Sequence, residues 1–349
     1  MVLKFLRKTL LVSLSAAALG LLLGTTSASA DNAASTPASY LTHPDVQAFI
    51  NEVAAEGEFR KTELETLFAS ARRQQSILDA IARPAEKTKT WAEYRPLFVS
   101  QDRIDLGLQF YKTYGKTLAR AEQEYGVSRY IIMAIIGVET RYGKFKGNYR
   151  VIDALSTLAF DYPPRAPFFR NELKAFLQLK DEAHIDLLSA RGSYAGAMGF
   201  PQFISSSYRK FAVDFDADNH IDLINNPVDA IGSVASYFKA HGWEQGAPVI
   251  SLARYLGSDA DEAGLDSWVN QDLKPEHSVA DFRRLGLVPD QTYPADLPAI
   301  ALKLEGIQGP EYWLGLNNFY VITRYNHSPL YALSVYQLSE ALRSKINPT

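Results

Sequence analysis

The segment Ser128–Glu139, with the sequence SRYIIMAIIGVE, decides the fold because its apolar side chains surround almost the whole circumference of a helix. Serine is a favoured residue at a helix start, so we expect the helix to begin near Ser128. A helix that is apolar on nearly every side belongs in the interior of a domain. The segment ends on a carboxylate, Glu139, so the sequence places an acidic group at the end of a buried helix.

The sequence on both sides of this segment also has helical spacing. Apolar residues recur every three or four positions from Pro44 onward, and the first third of the chain is predicted to be all helical. Further helices are predicted over residues 153–159, 166–180, 205–211, 227–241 and 329–346. Between Gly246 and Leu304, prolines, glycines and short β-compatible pieces predict a small, partly β insertion. The predicted fold class is therefore mainly α (α+β).

The predicted organisation divides the chain into six parts. In chain order they are a signal peptide (1–30), a linker expected to be disordered (31–40), a helical flanking region (41–125), a core (126–246), the insertion (247–305) and the C-terminal part of the core (306–349).

The first thirty residues have the pattern of a secretory signal. Lys4, Arg7 and Lys8 precede an apolar run over 9–24, and small residues at 28–30 offer a cleavage site. The alternative is an uncleaved membrane anchor, but the apolar run is short for a bilayer span. The chain has no cysteine that could carry a lipid after cleavage. We therefore expect an exported, periplasmic protein that is soluble and not a lipoprotein.

The composition excludes several classes of function. Without cysteine there are no disulfides, thiolate nucleophiles or cysteine-ligated metals, so the core alone must hold the fold. Loss of the signal would change the formal net charge from −3 to −6, which does not favour nucleic acid as a partner. Beyond residue 30 no transmembrane segment is expected. The six histidines lack the HExxH spacing of zinc hydrolases.

The residues around Glu139 leave its role open. A carboxyl group in apolar surroundings has a raised pKa, which suits it to donate a proton to a glycosidic oxygen near neutral pH. The alternative is a structural glutamate at a helix end, paired with Arg141 or bound to the backbone. Taken alone, the residues favour this structural role, because structural ion pairs are commoner than catalytic acids.

Three longer stretches change this balance: GVETRYGKFKG at 137–147, DALSTLAFDYPPRAPFF at 153–169 and GSYAGAMGFPQFISSSY at 192–208. Together with WLGLNNFYVITRYNHS at 313–328, they resemble the lytic murein transglycosylase B family. The resemblance implies a lysozyme-like helical core and cleavage of peptidoglycan glycan strands at the MurNAc-GlcNAc β-1,4 bond, leaving 1,6-anhydroMurNAc ends. It implies that Glu139 acts first as acid and then as base, without a catalytic cofactor.

The same resemblance identifies a set of substrate-binding residues. Ser193 and Gln202 are expected to orient the sugar, and the aromatic residues to line the groove. The full predicted set is Tyr94, Arg165, Phe168, Ser193, Gln202, Tyr237, Tyr325, Asn326 and Tyr331. For any one tyrosine, a place in the core is an equal alternative. The chain departs from the family pattern at Pro164 and Phe168, where an arginine and a tyrosine are common, so these two side chains cannot make the polar contacts that an arginine and a tyrosine would make.

The stretch DFDADNHIDL predicts a calcium loop. Asp214, Asp216 and Asp218 occupy the alternate positions of an EF-hand loop, and His220 would add its carbonyl oxygen. The family resemblance implies that Asp229 completes an EF-hand-like loop over 214–229, despite one extra residue. The alternative is an acidic surface turn. Any Ca²⁺ here would be structural.

Three functions remain distinguishable by experiment: a lytic transglycosylase, a true hydrolase of the same polymer, and a noncatalytic murein-binding or calcium-dependent interaction protein. Hydrolases usually present a second carboxylate, and none lies within ten residues of Glu139. The predicted partner is the peptidoglycan glycan strand. Protein partners are not indicated.

Overall fold

The computed structural model describes residues 39–82, 88–271 and 273–348, with 259–262 described by backbone only. The predicted signal peptide at 1–30 and residues 31–38 of the predicted linker lie outside the described residues. None of the helices within the described ranges combines the length and apolarity that a membrane span requires.

The end of the predicted linker is part of the folded domain, which corrects the boundary at residue 40. Tyr40 begins a 3-10 helix over Tyr40–Thr42 and is only 4% exposed. Its hydroxyl donates to Asp161, and its ring packs 6.0 Å from that of Phe160. The polar composition of 31–40 predicted disorder, but the large aromatic side chain of Tyr40 buries enough apolar surface to join the folded domain.

Helices make up most of the chain before residue 246. They are α1 (Pro44–Ala55), α2 (Lys61–Ser70), α3 (Gln75–Ile81), α4 (Trp91–Phe98), α5 (Gln101–Tyr125), α6 (Arg129–Thr140), α7 (Val151–Asp161), α8 (Ala166–Glu182), α9 (Ser205–Phe211) and α10 (Pro227–Ala240). Two short strands, β1 (Tyr149–Arg150) and β2 (Arg191–Gly192), pair antiparallel between them. The predicted helices at 153–159, 166–180, 205–211 and 227–241 are confirmed.

Helix α6 is the buried centre that its sequence predicts. Every residue over 131–140 is buried, and α5, α10 and a later helix, α14 (Pro329–Ile346), pack around it. Ser128 stands at the predicted N-cap position, although its side chain makes no capping bond. The predicted boundary at 125 separates α5 from the core in sequence, but α5 packs directly on α6. The flanking and core helices share one hydrophobic cluster.

After residue 246 the chain forms a five-stranded antiparallel sheet and then returns to the helical core. Its remaining elements are β3 (Ile250–Tyr255), α11 (Asp259–Asp266), β4 (His277–Ser278), α12 (Val279–Arg284), β5 (Leu287–Pro289), β6 (Pro298–Gly306), β7 (Gly309–Gly315) and α13 (Asn317–Tyr325). The strand order is β4-β6-β7-β3-β5. The predicted helix at 329–346 is confirmed as α14.

The sheet extends ten residues past the predicted end of the insertion at 305. β6 and β7 form a hairpin whose register pairs Gly306 with Gly309, and β7 then pairs with β3. The strand-like pattern of β7 was obscured because its side chains contact two different cores. Leu314 belongs to a small cluster within the insertion, whereas Trp313 belongs to the main cluster.

The β1–β2 pair holds the loop after α6 against the loop before α9, and one glycine allows this approach. Gly147 has φ +91°, and a Cβ added there would lie 2.0 Å from the carbonyl oxygen of Gly192. Backbone cannot move aside as a flexible side chain can, so both the left-handed conformation and the contact require glycine.

We therefore expect Gly147→Ala to lower the free energy of unfolding by about 3 kcal/mol or more, since it combines left-handed strain with a backbone clash. Gly57→Ala is the matched control, because Gly57 has φ +85° but nothing within 4 Å of the added Cβ. It should cost only the strain, about 1–2 kcal/mol. Urea denaturation of both variants measures the difference. Equal losses would show that the close approach to Gly192 is not tight.

Candidate active site

Glu139 lies in the last turn of α6 and is only 4% exposed. The hydroxyl of Tyr331, in the first turn of α14, donates a hydrogen bond of 2.5 Å to its Oε1. Arg141, the predicted structural partner of Glu139, forms an ion pair with Asp102 on α5. The structure therefore joins Glu139 to a residue 192 positions away and does so inside the core.

The fold fixes the Tyr331 hydroxyl as a hydrogen-bond donor to Glu139. Its side chain is fully buried, and its backbone N–H donates to Ser328 Oγ, which caps α14. Burial raises the pKa of the Tyr331 hydroxyl far above its ordinary value, and the negative charge of Glu139 raises it further. The hydroxyl therefore keeps its proton at neutral pH and donates a hydrogen bond to Glu139.

The chain leaves α6 through a short run of left-handed backbone. Arg141 and Tyr142 have φ of +49° and +60°, and Gly143 follows with φ +89°. Thr140 ties this turn to a neighbouring loop, because its hydroxyl contacts the carbonyl of Phe200 at 3.0 Å and accepts from the Gly143 N–H. Sequence reasoning missed Thr140, although a hydroxyl directly after the candidate acid was a usable signal.

Arg103 on α5 is a second residue that sequence reasoning missed. It is only 6% exposed, and its guanidinium donates to the backbone carbonyl of Gly137, in the turn that carries Glu139. It also donates to the Leu97 carbonyl at 3.0 Å. Burial lowers the pKa of Arg103 to about 10, so the group remains a cation at neutral pH. An arginine on the apolar face of α5 was the available signal.

Ser193 and Gln202 are buried in the loop between β2 and α9. Ser193 Oγ accepts from the backbone N–H groups of Ala195 and Ala197 at 3.3 and 3.1 Å. Gln202 has φ +50°, and its Nε2 donates to the carbonyls of Lys146 and Gly199 at 3.1 and 2.9 Å. Both side chains thus shape the loop that borders α6, and their contact with sugar stays a prediction.

Tyr237 and Tyr325 form a packed aromatic pair beside this loop. Their ring centres are 4.8 Å apart in an edge-to-face arrangement, and both residues are buried. The Tyr325 hydroxyl donates to the Pro201 carbonyl at 2.5 Å, and the Tyr237 hydroxyl donates to the Arg324 carbonyl at 2.6 Å. Burial raises the pKa of Tyr325 well above its ordinary value, with a further contribution from the charge of Glu139.

The four remaining predicted substrate residues lie at three different places in the chain. Asn326 Oδ1 accepts from the Ser328 N–H at 3.1 Å and so turns the chain into α14. Tyr94 is buried on α4, within electrostatic range of Tyr331. Arg165, on the segment that joins α7 to α8, pairs with Phe168 in the first turn of α8, with the guanidinium 4.2 Å from the ring centre.

The buried carboxylate of Glu172 was also missed, and it has a structural role. Glu172 lies on α8 and is 4% exposed. Its two oxygens accept from the backbone N–H and the hydroxyl of Ser206 at 2.9 and 2.7 Å, which satisfies a free N–H in the first turn of α9. Burial raises the pKa of Glu172. Both oxygens are therefore already used within the fold.

The predicted calcium loop brings three carboxylates together. One oxygen each from Asp214, Asp216 and Asp229 lies within 4.8 Å of the others, and Asp229 is fully buried in the first turn of α10. Its two oxygens accept backbone hydrogen bonds of 2.8 Å from Phe215 and Asp222. Burial raises the pKa of Asp229, and the neighbouring negative charges add to this. Such a group suits a hard cation.

Asp218 lies outside this group of three carboxylates, and its role as a metal ligand stays a prediction. Its Oδ1 accepts from the backbone N–H of His220 at 2.8 Å. Ala217 and Asn219 adopt positive φ of +62° and +69°, so the backbone turns on both sides of Asp218. The His220 ring stacks on His184 at 5.7 Å, and the ligand role of its carbonyl oxygen stays a prediction.

Comparison with known proteins places this arrangement in a family. A family profile described as the transglycosylase SLT domain matches residues 42–340. The membrane-bound lytic murein transglycosylase B of Escherichia coli is 40% identical over 312 residues, which cover 87% of this chain and 84% of that protein.

Two solved structures share the fold over most of the chain. The catenated lytic transglycosylase SltB1 from Pseudomonas aeruginosa has a TM-score of 0.83 at 50% identity, covering 88% of this chain and 100% of that one. The Escherichia coli lytic transglycosylase Slt35 in complex with calcium has a TM-score of 0.80 at 39% identity, covering 89% and 96%. They confirm the predicted mainly α, lysozyme-like fold. The chain belongs to the lytic murein transglycosylase B family.

Proposed function

We propose that this chain cleaves peptidoglycan glycan strands as a lytic transglycosylase, with Glu139 as its single acid and base. The observation that carries the assignment is the buried Glu139 carboxyl group, hydrogen-bonded by the Tyr331 hydroxyl at 2.5 Å. Water-poor surroundings favour a neutral carboxylic acid, which can donate a proton. Membership of a family whose Escherichia coli relative is named a lytic murein transglycosylase supports the same substrate and reaction.

The proposed reaction needs one proton-transfer group used twice. Glu139 donates its proton to the glycosidic oxygen as the bond from that oxygen to C1 of the muramoyl residue breaks. The resulting carboxylate accepts the proton of the 6-hydroxyl as O6 bonds to C1. The strand then ends in 1,6-anhydroMurNAc, no water is consumed, and Glu139 recovers its proton.

The surroundings of Glu139 suit both halves of this cycle. Apolar burial favours the neutral acid before cleavage, whereas the Tyr331 donor and the nearby Arg103 cation favour the carboxylate after it. We propose that Ser193 and Gln202 shape and present the loop that orients the sugar. Tyr94, Tyr237, Tyr325, Asn326, Arg165 and Phe168 complete the proposed groove.

The hydrogen bonds of two other buried carboxylates favour a transglycosylase over a hydrolase. Hydrolases usually present a second acidic group that attacks C1 or activates water. Glu172 is bound through both oxygens to Ser206, and Asp153 accepts from the Arg72 N–H and the Arg150 guanidinium. A noncatalytic murein-binding role would leave the buried Glu139 without a purpose.

We also propose a structural calcium ion and export to the periplasm. The calcium ligands would include Asp214, Asp216 and Asp229, and the relative Slt35 was solved in complex with calcium. The ion would join the loop to α10 and take no part in the proton transfers. Export is supported by the signal pattern of residues 1–30, since the substrate lies outside the cytoplasmic membrane.

Glu139→Gln is expected to reduce turnover of murein by roughly 10²–10⁴-fold or more, because the amide cannot transfer the proton. The amide oxygen still accepts from Tyr331, so the melting temperature should change little. Digestion of purified murein, followed by mass analysis of the muropeptides, measures turnover. The same analysis of the wild-type digest separates the reactions, because anhydro ends are one water lighter than reducing ends.

The matched control for Glu139→Gln is Glu172→Gln, which alters a buried carboxylate that caps α9. It should lower the melting temperature but retain turnover in the folded protein. If Glu172→Gln lost as much turnover as Glu139→Gln while folded, a second carboxylate would take part and the single-residue mechanism would fail.

Tyr331→Phe is expected to slow turnover about 10- to 100-fold, because a hydrogen bond to a charged group is worth roughly 1.5–3 kcal/mol. The hydroxyl stabilises the carboxylate form of Glu139. Without it the neutral acid persists to higher pH, so the alkaline limb of the activity profile should move upward. Tyr208→Phe is the control, since the Tyr208 hydroxyl bonds only backbone groups of Ile221 and Leu223. An unmoved limb in Tyr331→Phe would contradict the proposed role.

Calcium is expected to raise the melting temperature of the wild-type protein relative to a chelator, because binding to the folded state alone stabilises it. Asp229→Asn should abolish this difference by removing charge from the buried ligand. Asp105→Asn, an exposed change on α5, should leave the difference intact. Equal melting temperatures of the wild type with calcium and with chelator would rule out a stabilising ion at this loop.

A further inference from the structure

A cavity of about 480 Å³ lies where the sheet insertion meets the helical core, at the opposite end of α6 from Glu139. Its walls come from the end of α5, the start of α6, the segment 243–250 and the second half of α14. This volume falls within the range of small-molecule sites, about 300–1,000 Å³, and such sites favour junctions between structural units.

We infer that this cavity is a second, noncatalytic site that binds an N-acetylated sugar unit of the glycan strand. The inference rests on the proposed function for the identity of the polymer. The cavity is separate from the proposed groove, because none of the described residues that line it is a predicted substrate residue. Helix α6 has 12 residues, so its rise separates the cavity end from the Glu139 end by roughly 16 Å.

The floor of the cavity is apolar and its rim is polar. Ile131, Trp243 and Ile250 are buried at its base, where the methyl of an acetamido group can pack. The exposed side chains of Gln245 and Gln291 stand at the rim, where their amides can exchange hydrogen bonds with sugar hydroxyls. An apolar surface beside a few amides and hydroxyls is the usual composition of a saccharide site.

The charged groups of the wall favour a neutral ligand. Glu122 accepts from the backbone N–H and the guanidinium of Arg129, and Glu340 is paired with Arg343. Each carboxylate is thus balanced by its own arginine, so no net charge is left for an ionic ligand to neutralise. Ser128 makes no side-chain capping bond, which leaves its hydroxyl at the wall for a ligand.

The segment that forms one wall is fixed in place before any ligand binds. The buried amide of Asn318 accepts from the Glu244 N–H at 2.9 Å and donates to the carbonyls of Glu244 and Ala247 at 2.8 and 3.0 Å. The Leu316 N–H donates to the Val249 carbonyl at 2.9 Å. A wall held by four hydrogen bonds is preorganised, which lowers the entropic cost of binding.

The absence of cysteine from the chain allows a direct test by thiol protection. Gln291→Cys is introduced at the rim in the Glu139→Gln background and labelled with a maleimide, with and without the N-acetylglucosamine trisaccharide chitotriose. Bound trisaccharide should slow labelling about tenfold when its free concentration is about ten times the Kd. Cellotriose, which lacks the acetamido groups, should give little protection.

The controls decide whether protection arises in the cavity. Gln123→Cys, exposed on α5 outside the cavity, should be labelled at the same rate with and without sugar. Adding Tyr336→Leu or Gln245→Ala to the Gln291→Cys protein should remove most of the protection. The second change lies on the exposed rim and serves if the first one disturbs folding.

The inference is overturned if chitotriose fails to protect the thiol, if it protects the Gln123→Cys control equally, or if cellotriose protects as well. Protection that survives both wall substitutions overturns it too. Murein digestion tests the proposed function independently, because labelling at the rim does not depend on turnover. The two proposals can therefore fail separately. An inactive enzyme with a protected thiol would contradict only the proposed function, and an active enzyme with an unprotected thiol would contradict only the second site.

Discussion

Helix α6 can present a carboxyl group from inside the protein only if other helices enclose its whole length, and this enclosure is the constraint on which the structure depends. α5, α10 and α14 supply it. The same packing brings the Tyr331 hydroxyl onto Glu139 and the Arg103 guanidinium onto the Gly137 carbonyl. Packing of the core helices therefore supplies the apolar burial that favours the neutral acid and also positions two groups that favour the carboxylate. Removing a helix from the bundle would change the chemistry as well as the stability.

The turn after α6 shows how much of the site is backbone rather than side chain. Gly143 meets the Phe200 ring so closely that an added Cβ would lie 2.0 Å away, and Thr140 contacts the carbonyl of the same residue. Gln202, with positive φ, is bonded to the loop that leaves this turn. Residues expected to touch sugar are thus also the residues that shape the loop. Their substitution will alter loop shape and sugar contact together.

Periodicity was sufficient to predict the longer helices of the core, because a stripe of apolar residues has few ways to be buried. The 205–211 and 329–346 helices begin and end at the predicted residues. The residues that complete the site were less accessible to prediction. Nothing in the local sequence pairs Tyr331 with Glu139 across 192 positions, and the family resemblance supplied that residue. Arg103 and Glu172 were missed because a charged residue on a helix normally faces water.

The sheet also determines how firmly the insertion is attached to the helical core. One face, with Leu314, covers the small cluster of the insertion, while Trp313 on the other joins the main core. The Trp91 indole donates to Glu311 at 3.1 Å and fastens α4 to this face. Rotation of the insertion against the helical core would expose buried apolar side chains on both faces of the sheet to water. The insertion and the helical core therefore share buried surface through both faces of the sheet, and this shared surface opposes their rotation relative to each other.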